Sequence, residues 1–470
     1  MTVPTNSNHV MPVSILDDFL KNHPKVEHVE LVLVDPNGIA RGKWAPVSTL
    51  KKAFSDGVNF PLSLHGLDVW GNEVDATGLH ISSGDLDGFC IAVPHTLSAV
   101  PWGKSRKAGH VEAEIDATTA QVLLQTLTPE HEYFGGCSRS VLAQVINRLS
   151  AQGMSAVCAF ELEFHLLRAP AGSGEPFEMA SHDQAPDAQF MYGLDALAEK
   201  VDIFADIRNA AKWADLPIDT IVKEAGPGQY EVNLNHRADA LRAADDVVLL
   251  KRIIKECARI NGLEATFMAK PIIGQPGNGM HVHASVLDAQ GNNIFSGREG
   301  DVRLRHAVSG LLASMQEMAL VFVNTHNGFR RMAPGSYAPT RVNWGANNRS
   351  VSVRLPAAPD VAKRLEHRVS GADANPYLVL ATILQGVIEG MESEVLPPPE
   401  LVGNAYEEAT PNRGEGLPNS QIAALQAFQD SKFAKRALGQ MMRDNLASIK
   451  RAEVDGFRND ISPLERRTFL

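Results

Sequence analysis

Five segments of the chain alternate apolar and polar side chains with the two-residue period of a half-buried strand, and each polar set carries charge. In AVCAFELEFHLLR, Phe160, Leu162, Phe164 and Leu166 share one face, and Glu161, Glu163 and His165 the other. In GQYEVNLNH, Tyr230, Val232 and Leu234 oppose Glu231, Asn233 and Asn235. In GMHVHASV, Met280, Val282 and Ala284 oppose His281, His283 and Ser285. SVSVRLP sets Val351, Val353 and Leu355 against Ser352 and Arg354, and RLEHRV sets Leu365 and His367 against Arg364, Glu366 and Arg368.

Other elements follow from the same pattern. VEHVELVLVDPNGIARGKWAPV predicts two strands around an Asp35-Pro36-Asn37-Gly38 turn. With the short apolar runs of residues 58–102, this predicts a small, mostly β N-terminal part behind a loose tail of ten or so residues. Gly135-Gly136 marks a boundary, and SRSVLAQVINRLSAQGM has helical spacing with a glycine stop. Strand-like and helix-like segments then alternate to about Glu394. Pro397, Pro398 and Pro399 open a loop reaching about Pro418, and a helical tail follows.

One wet face per strand would be ordinary for an antiparallel sheet. Five faces of mixed carboxylates, imidazoles and guanidiniums fit a shared cleft better. Crowded carboxylates need protons, basic partners or metal. Hard oxygen ligands with at most one imidazole favour Mg2+ or Mn2+ over zinc. Arginines on neighbouring strands would suit phosphate oxygens. Together these describe a phosphoryl-transfer site. No GxxxxGK[ST] loop, dinucleotide fingerprint, HExxH or GxSxG elbow occurs, so any ATP is held in another way.

Composition narrows the class. The 470 residues are 44% hydrophobic, enough for two or three domains with a sizeable core. A net charge of −11 argues against a nucleic-acid partner. No apolar run is long enough for a membrane span, and MTVPTNSNHVMPVS lacks an apolar signal core. Cys90, Cys137, Cys158 and Cys257 lie far apart, as reduced thiols do in a cytoplasm.

In order along the chain, FELEFHLL, KEAGPGQYEVNL, GNGMHVHAS, FRRMAPGSYAP, NNRSVSVRLP and RLEHRVSGADANPYL resemble the motifs of the class I glutamine synthetase family, over nearly the whole length. The resemblance implies an α+β fold: an N-terminal β-grasp domain (12–130) and a catalytic domain of the glutamine synthetase/guanido kinase type (131–470), whose antiparallel sheet lines the active site. It implies that Glu163, Glu224 and Glu231 hold a metal near glutamate, and that Glu161, His281 and Glu366 hold one bridging the ATP phosphates. Arg349, Arg354 and Arg364 would contact phosphates, with His283 and Ser285 near the nucleotide. Arg331 and Arg368 would serve the glutamate carboxylate and the transferred phosphoryl group, beside the Gly277 backbone. Two or three Mg2+ or Mn2+ per site, ATP, glutamate and an amine are then the partners. A homo-oligomeric ring, commonly a dodecamer, would form sites between subunits.

Departures from the family pattern bear on the amine. Ammonia-using members carry a flap glutamate (PGxEAP), where Tyr337 stands here in PGSYAP. Phe60-Pro61-Leu62-Ser63-Leu64 aligns with FDGSS, so Pro61 replaces an ammonium-binding aspartate, and Pro276 replaces an asparagine that helps hold glutamate. Losing both anionic ligands weakens capture of ammonium. The sequence therefore resembles the branch making γ-glutamyl amides of polyamines, monoamines or anilines, with Tyr337 at the amine site. Asp68 and Glu73 would offer acids for distal nitrogens and Trp70 an apolar wall; alternatively Asp68 caps a turn and Trp70 is interface core. Tyr406 reads as a loop aromatic near the tyrosine adenylylated in some bacterial relatives, and His165, His236, His306 and His326 as structural or surface residues. A glutamine synthetase with re-sited ammonium ligands, an inactive structural or regulatory relative and a guanidine kinase are the competing readings.

Overall fold

A computed structural model describes residues 13–103, 117–168, 178–180 and 191–469; the expected N-terminal tail lies outside them. Strands β1 (His28–Val34) and β2 (Ala40–Pro46) form the expected hairpin, with Gly38 at φ 78° in its turn. With β3 (Val58–Pro61), β4 (Asp87–Ala92), β5 (Ser98–Val100) and β6 (Thr119–Leu127), they build a six-stranded sheet in the order β2-β1-β6-β4-β3, β5 pairing with β6. The β1–β6 pairing is parallel, the others antiparallel.

All nine residues of β6 are buried, because this sheet is covered on both sides. Val29, Leu31, Leu33, Val122 and Leu124 pack with Leu50 and Phe54 of the helix Thr49–Ser55. Val32, Val34 and Leu123, on the opposite face, join the main core.

The second sheet has nine strands in the order β13-β14-β15-β12-β7-β10-β9, with β8 (Glu178–Met179) and β11 (Glu264–Thr266) also on β7. Its centre is β7 (Ser155–Arg168), flanked by β10 (Gln229–Leu234) and β12 (Met280–Leu287). Beyond these lie β9 (Ile218–Lys223), β13 (Trp344–Ala346), β14 (Val353–Leu355) and β15 (Leu365–His367). Every pairing except β13–β14 is antiparallel. The apolar sides of β7, β10 and β12 join a core with the helices Ser138–Ala151, Ala240–Ile260, Gly297–Ser314 and Pro376–Ser393. The carboxylate-bearing sides line two cavities. The helical tail is two helices, Gln421–Gln429 and Lys432–Asn459, the second capped by Ser431 and kinked at Gly439. No helix among the described residues is long and apolar enough to cross a membrane.

Two polar devices tie the turn of the first hairpin to helices of the larger part. Asn375 caps the helix Pro376–Ser393 through Tyr377 N and Leu378 N, while its Nδ2 donates to Asp35 O and Ser138 Oγ, both at 3.0 Å. Lys450 Nζ donates to Asn37 Oδ1 at 2.5 Å and Glu453 Oε2 at 2.9 Å, all three residues being buried. Lys450→Met is expected to cost about 3 kcal/mol, because it strands the Glu453 carboxylate, and adding Glu453→Leu should restore most of it. Chemical unfolding midpoints of the single and double variants check this; a single variant matching the parent would refute it.

Candidate active site

Strand register assembles the acidic face. Glu163 pairs across the sheet with Glu231, Glu161 with Asn233 on one side and His281 on the other, and His283 with Glu366. Glu224 follows β9, its N–H donating to Gln229 O at 3.0 Å. Like charges directly opposite on neighbouring strands repel. Burial, and then the charges of Glu163 and Glu161, push the Glu224 carboxyl up to about 7. Burial with Glu161, Glu163 and Glu224 pushes Glu231 up to about 10. Burial opposes ionisation of Glu161 too, but His281 and His283 outweigh it and hold its carboxyl well below the usual range. Carboxylate oxygens crowded beside an imidazole are the donor set that a divalent metal fits.

Ligand atoms of Glu161, Glu231 and His281 lie within 4.8 Å of one another, as do those of Glu161, His283 and Glu366. The sequence expectation grouped Glu163 and Glu224 with Glu231, and His281 with Glu161 and Glu366. Glu161 is the hinge of the difference: its oxygens lie 2.9 Å from His281 Nδ1 and 2.8 Å from His283 Nε2. Arg364 Nε donates to His283 Nδ1 at 3.2 Å, which leaves the His283 proton on the nitrogen facing Glu161. His281 Nδ1 is 3.9 Å from Glu366. Glu163 accepts from Gly279 N at 2.7 Å and Gln229 Nε2 at 3.2 Å.

The arginines divide by depth. Arg331 is buried and donates to Val369 O at 2.8 Å; burial lowers its pKa. A Cβ on Gly277 would stand 2.2 Å from Ala269 O and 3.1 Å from Arg331 Cγ, so only glycine fits there. Arg354 and Arg368 both bind the fully buried Glu366, Arg354 at 2.8 Å, and Arg354 also donates to Asn347 Oδ1 at 3.0 Å. Arg354 is half-buried and is not among the residues lining either cavity below.

Two cavities meet at Glu161 and Asn233. One, of about 260 Å³, is lined by Glu161, Glu163, Glu224, Glu231, Gly277, His281, Arg331, Tyr337, Arg349 and Arg368. The other, of about 590 Å³, is lined by Glu161, His283, Ser285 and Arg364 with Asp219 and Asn293. Tyr337 is 63% exposed at φ 62°, and Met191, Tyr192 and Pro276 share its cavity.

Asp68 caps its own turn through Trp70 N and Asn72 N, and Glu73 accepts from Ile81 N. Trp70 rests on Phe457 at 5.2 Å. His165 is fully buried against Asn278 Oδ1 at 2.8 Å, and burial holds it down at about 4. His236 is exposed, while His306 and His326 are half-buried.

Gln229 was not singled out by sequence, although it extends the polar parity of Glu231 and Asn233 by one step. Its Nε2 reaches Glu163 and Gly277 O, and its Oε1 accepts from Gly226 N at 2.9 Å. An uncharged amide at a strand's first position gave no signal; parity could have found it.

Residues 135–469 match the glutamine synthetase catalytic domain family. The gamma-glutamylputrescine synthetase PuuA of Escherichia coli (strain K12) is 35% identical over 95% of this chain and 92% of its own. A glutamate–isopropylamine ligase of a Pseudomonas species is 31% identical over 96% of both chains. A solved GmaS/ADP complex superposes with a TM-score of 0.82 at 28% identity, covering 97% of this chain and 99% of that one. The family match, the acidic sheet face and the two cavities agree: the chain belongs to the glutamine synthetase family.

Proposed function

We propose that this chain is an ATP-dependent ligase joining the γ-carboxylate of glutamate to an organic amine through γ-glutamyl phosphate. The observation that carries the reading is the carboxylate–imidazole cluster beside buried Arg331, with Tyr337 in the flap where the ammonia-using pattern has an acid. Similarity to two relatives named as ligases of glutamate with an organic amine supports it.

Divalent ions, two or three in number, would supply charge neutralisation for the nucleotide phosphates and the transferring phosphoryl group. Glu161, Glu163, Glu224, Glu231, His281 and Glu366 are the residues that would hold them, with His283 placed to share the Glu161 side. The chain's own work is positioning. Arg364, His283 and Ser285 face the larger cavity, which suits ATP. Arg331, Arg368 and the Gly277 backbone face the smaller one, which suits glutamate, with Arg349 beside them for phosphate. Transfer of the γ-phosphoryl group to a glutamate side-chain oxygen leaves ADP and an acyl phosphate. Amine nitrogen then attacks the acyl carbon, the C–O bond to phosphate breaks, and the nitrogen proton passes to water. Held guanidiniums stabilise the charge that builds on phosphate.

The proposal extends to a homo-oligomeric ring, commonly twelve subunits, in the cytoplasm, with sites completed by neighbours. Trp44, 64% exposed on edge strand β2, fits a covered surface in such an assembly. The test is phosphate and amide formation from ATP, Mg2+ and glutamate against ammonia, alkylamines, polyamines and anilines. Amide from at least one organic amine, at ~10-fold or more the kcat/KM for ammonia, is expected. Turnover with ammonia alone would sink it.

A further inference from the structure

The flap that carries Tyr337 is fastened at two points. At its base, Ser336 Oγ donates to Arg331 O at 2.7 Å and Ala333 O at 2.6 Å. At its far end, Tyr406 Oη donates to Ala338 O at 2.9 Å. Between them Tyr337 holds a left-handed φ of 62°, a conformation that a side chain bearing Cβ adopts only when its surroundings impose it.

Tyr406 lies in a loop, as expected, and its hydroxyl has a fixed partner. Its phenol is half-buried, and burial raises its pKa against the opposing charges of Arg331 and Arg368, so it stands in the field of the glutamate-side arginines. The loop beneath it is braced to the segment bearing Arg349. Ala405 N donates to Ser350 Oγ at 3.0 Å, Asn348 Nδ2 to Gly403 O at 2.8 Å, and Asn343 Nδ2 to Arg413 O at 2.9 Å. Val351, Leu401 and Ala405 form a small apolar cluster of their own behind it. One hydroxyl therefore ties the flap to the segment expected to sense phosphate.

We infer that Tyr406 is a positioning residue, a latch that keeps the flap closed over the acyl phosphate so that amine, not water, takes the acyl group. This rests on the ligase reading above. Both fates break the same C–O bond to phosphate. Amine attack forms C–N and yields the amide; water attack forms C–O and returns glutamate and phosphate, with ATP lost. An unlatched flap admits water and shifts the partition without altering the phosphoryl-transfer groups.

Tyr406→Phe removes the single oxygen and keeps the ring. Phosphate and amide are measured together, at saturating glutamate and the best amine from the panel. The parent should release about one phosphate per amide, and the variant about three or more, with glutamate-dependent ATP hydrolysis in the absence of amine rising about as much. A Tyr406→Phe ratio that stays at the parent's value overturns the latch, whatever happens to turnover. A parent that makes no amide with any amine overturns the ligase reading instead, and the latch with it.

Discussion

Glu161→Gln should lower amide formation by ~10³-fold or more while leaving the chain folded, because this carboxylate belongs to both ligand groups at once. Glutamine keeps the volume and can still accept a hydrogen bond from His283, but it removes one negative charge from a cluster that already repels itself. Relief of Glu224 and Glu231 is offset by the lost ion pairs of Glu161 with His281 and His283, so stability without metal should change far less than activity. In the parent, Glu224 and Glu231 keep protons that the unfolded chain releases near pH 4.5, since their folded pKa values are raised. Metal-free parent protein thus loses this contribution as pH climbs from about 4.5 through about 7 and beyond, and Glu161→Gln should flatten the loss. Added Mg2+ or Mn2+ should raise the thermal midpoint of the parent far more than that of the variant. Activity within tenfold of the parent, or an undiminished metal response, would refute the assignment of Glu161.

Arg331→Lys should reduce kcat/KM for glutamate by ~10²-fold, about 2.7 kcal/mol, mainly through KM. The guanidinium spends one nitrogen on Val369 O and faces the Glu163 side of the smaller cavity with the rest. An ammonium on a single stem has no fork with which to do both. Since Gly277 lies against the Arg331 stem, a shorter head also leaves a gap beside the substrate. Nucleotide binding, proposed for the other cavity, should stay within about twofold of the parent, which separates a local lesion from misfolding. An unchanged glutamate KM would remove Arg331 from the substrate site.

The acidic face was legible because β7, β10 and β12 are long enough for parity to be read, and parity alone puts Glu161, Glu163, Glu231, His281 and His283 on one side. The three-residue strands β14 and β15 were recognisable only through their charged residues. That Arg354 turns to Glu366 follows from strand register, which no local pattern encodes. Burial of β6 on both faces hid its period, and the break at Ser431 was lost inside a run of good helix formers. The hydrogen bond of Tyr406 was not legible for a different reason: its partner is a backbone carbonyl 68 residues away, and backbone carbonyls leave no trace in a sequence. That His283 as well as His281 reaches Glu161 was not foreseen, because parity places two histidines one strand repeat apart on the same side without saying which neighbour each meets.

Asn375 has a consequence for dissection of the chain. Its side chain spends its donors on Asp35 and Ser138 while its oxygen starts a helix deep in the catalytic core. Cutting before residue 135 would therefore strip an apolar wall from the larger half and leave that amide half-employed, so the excised piece should aggregate where the intact polypeptide does not.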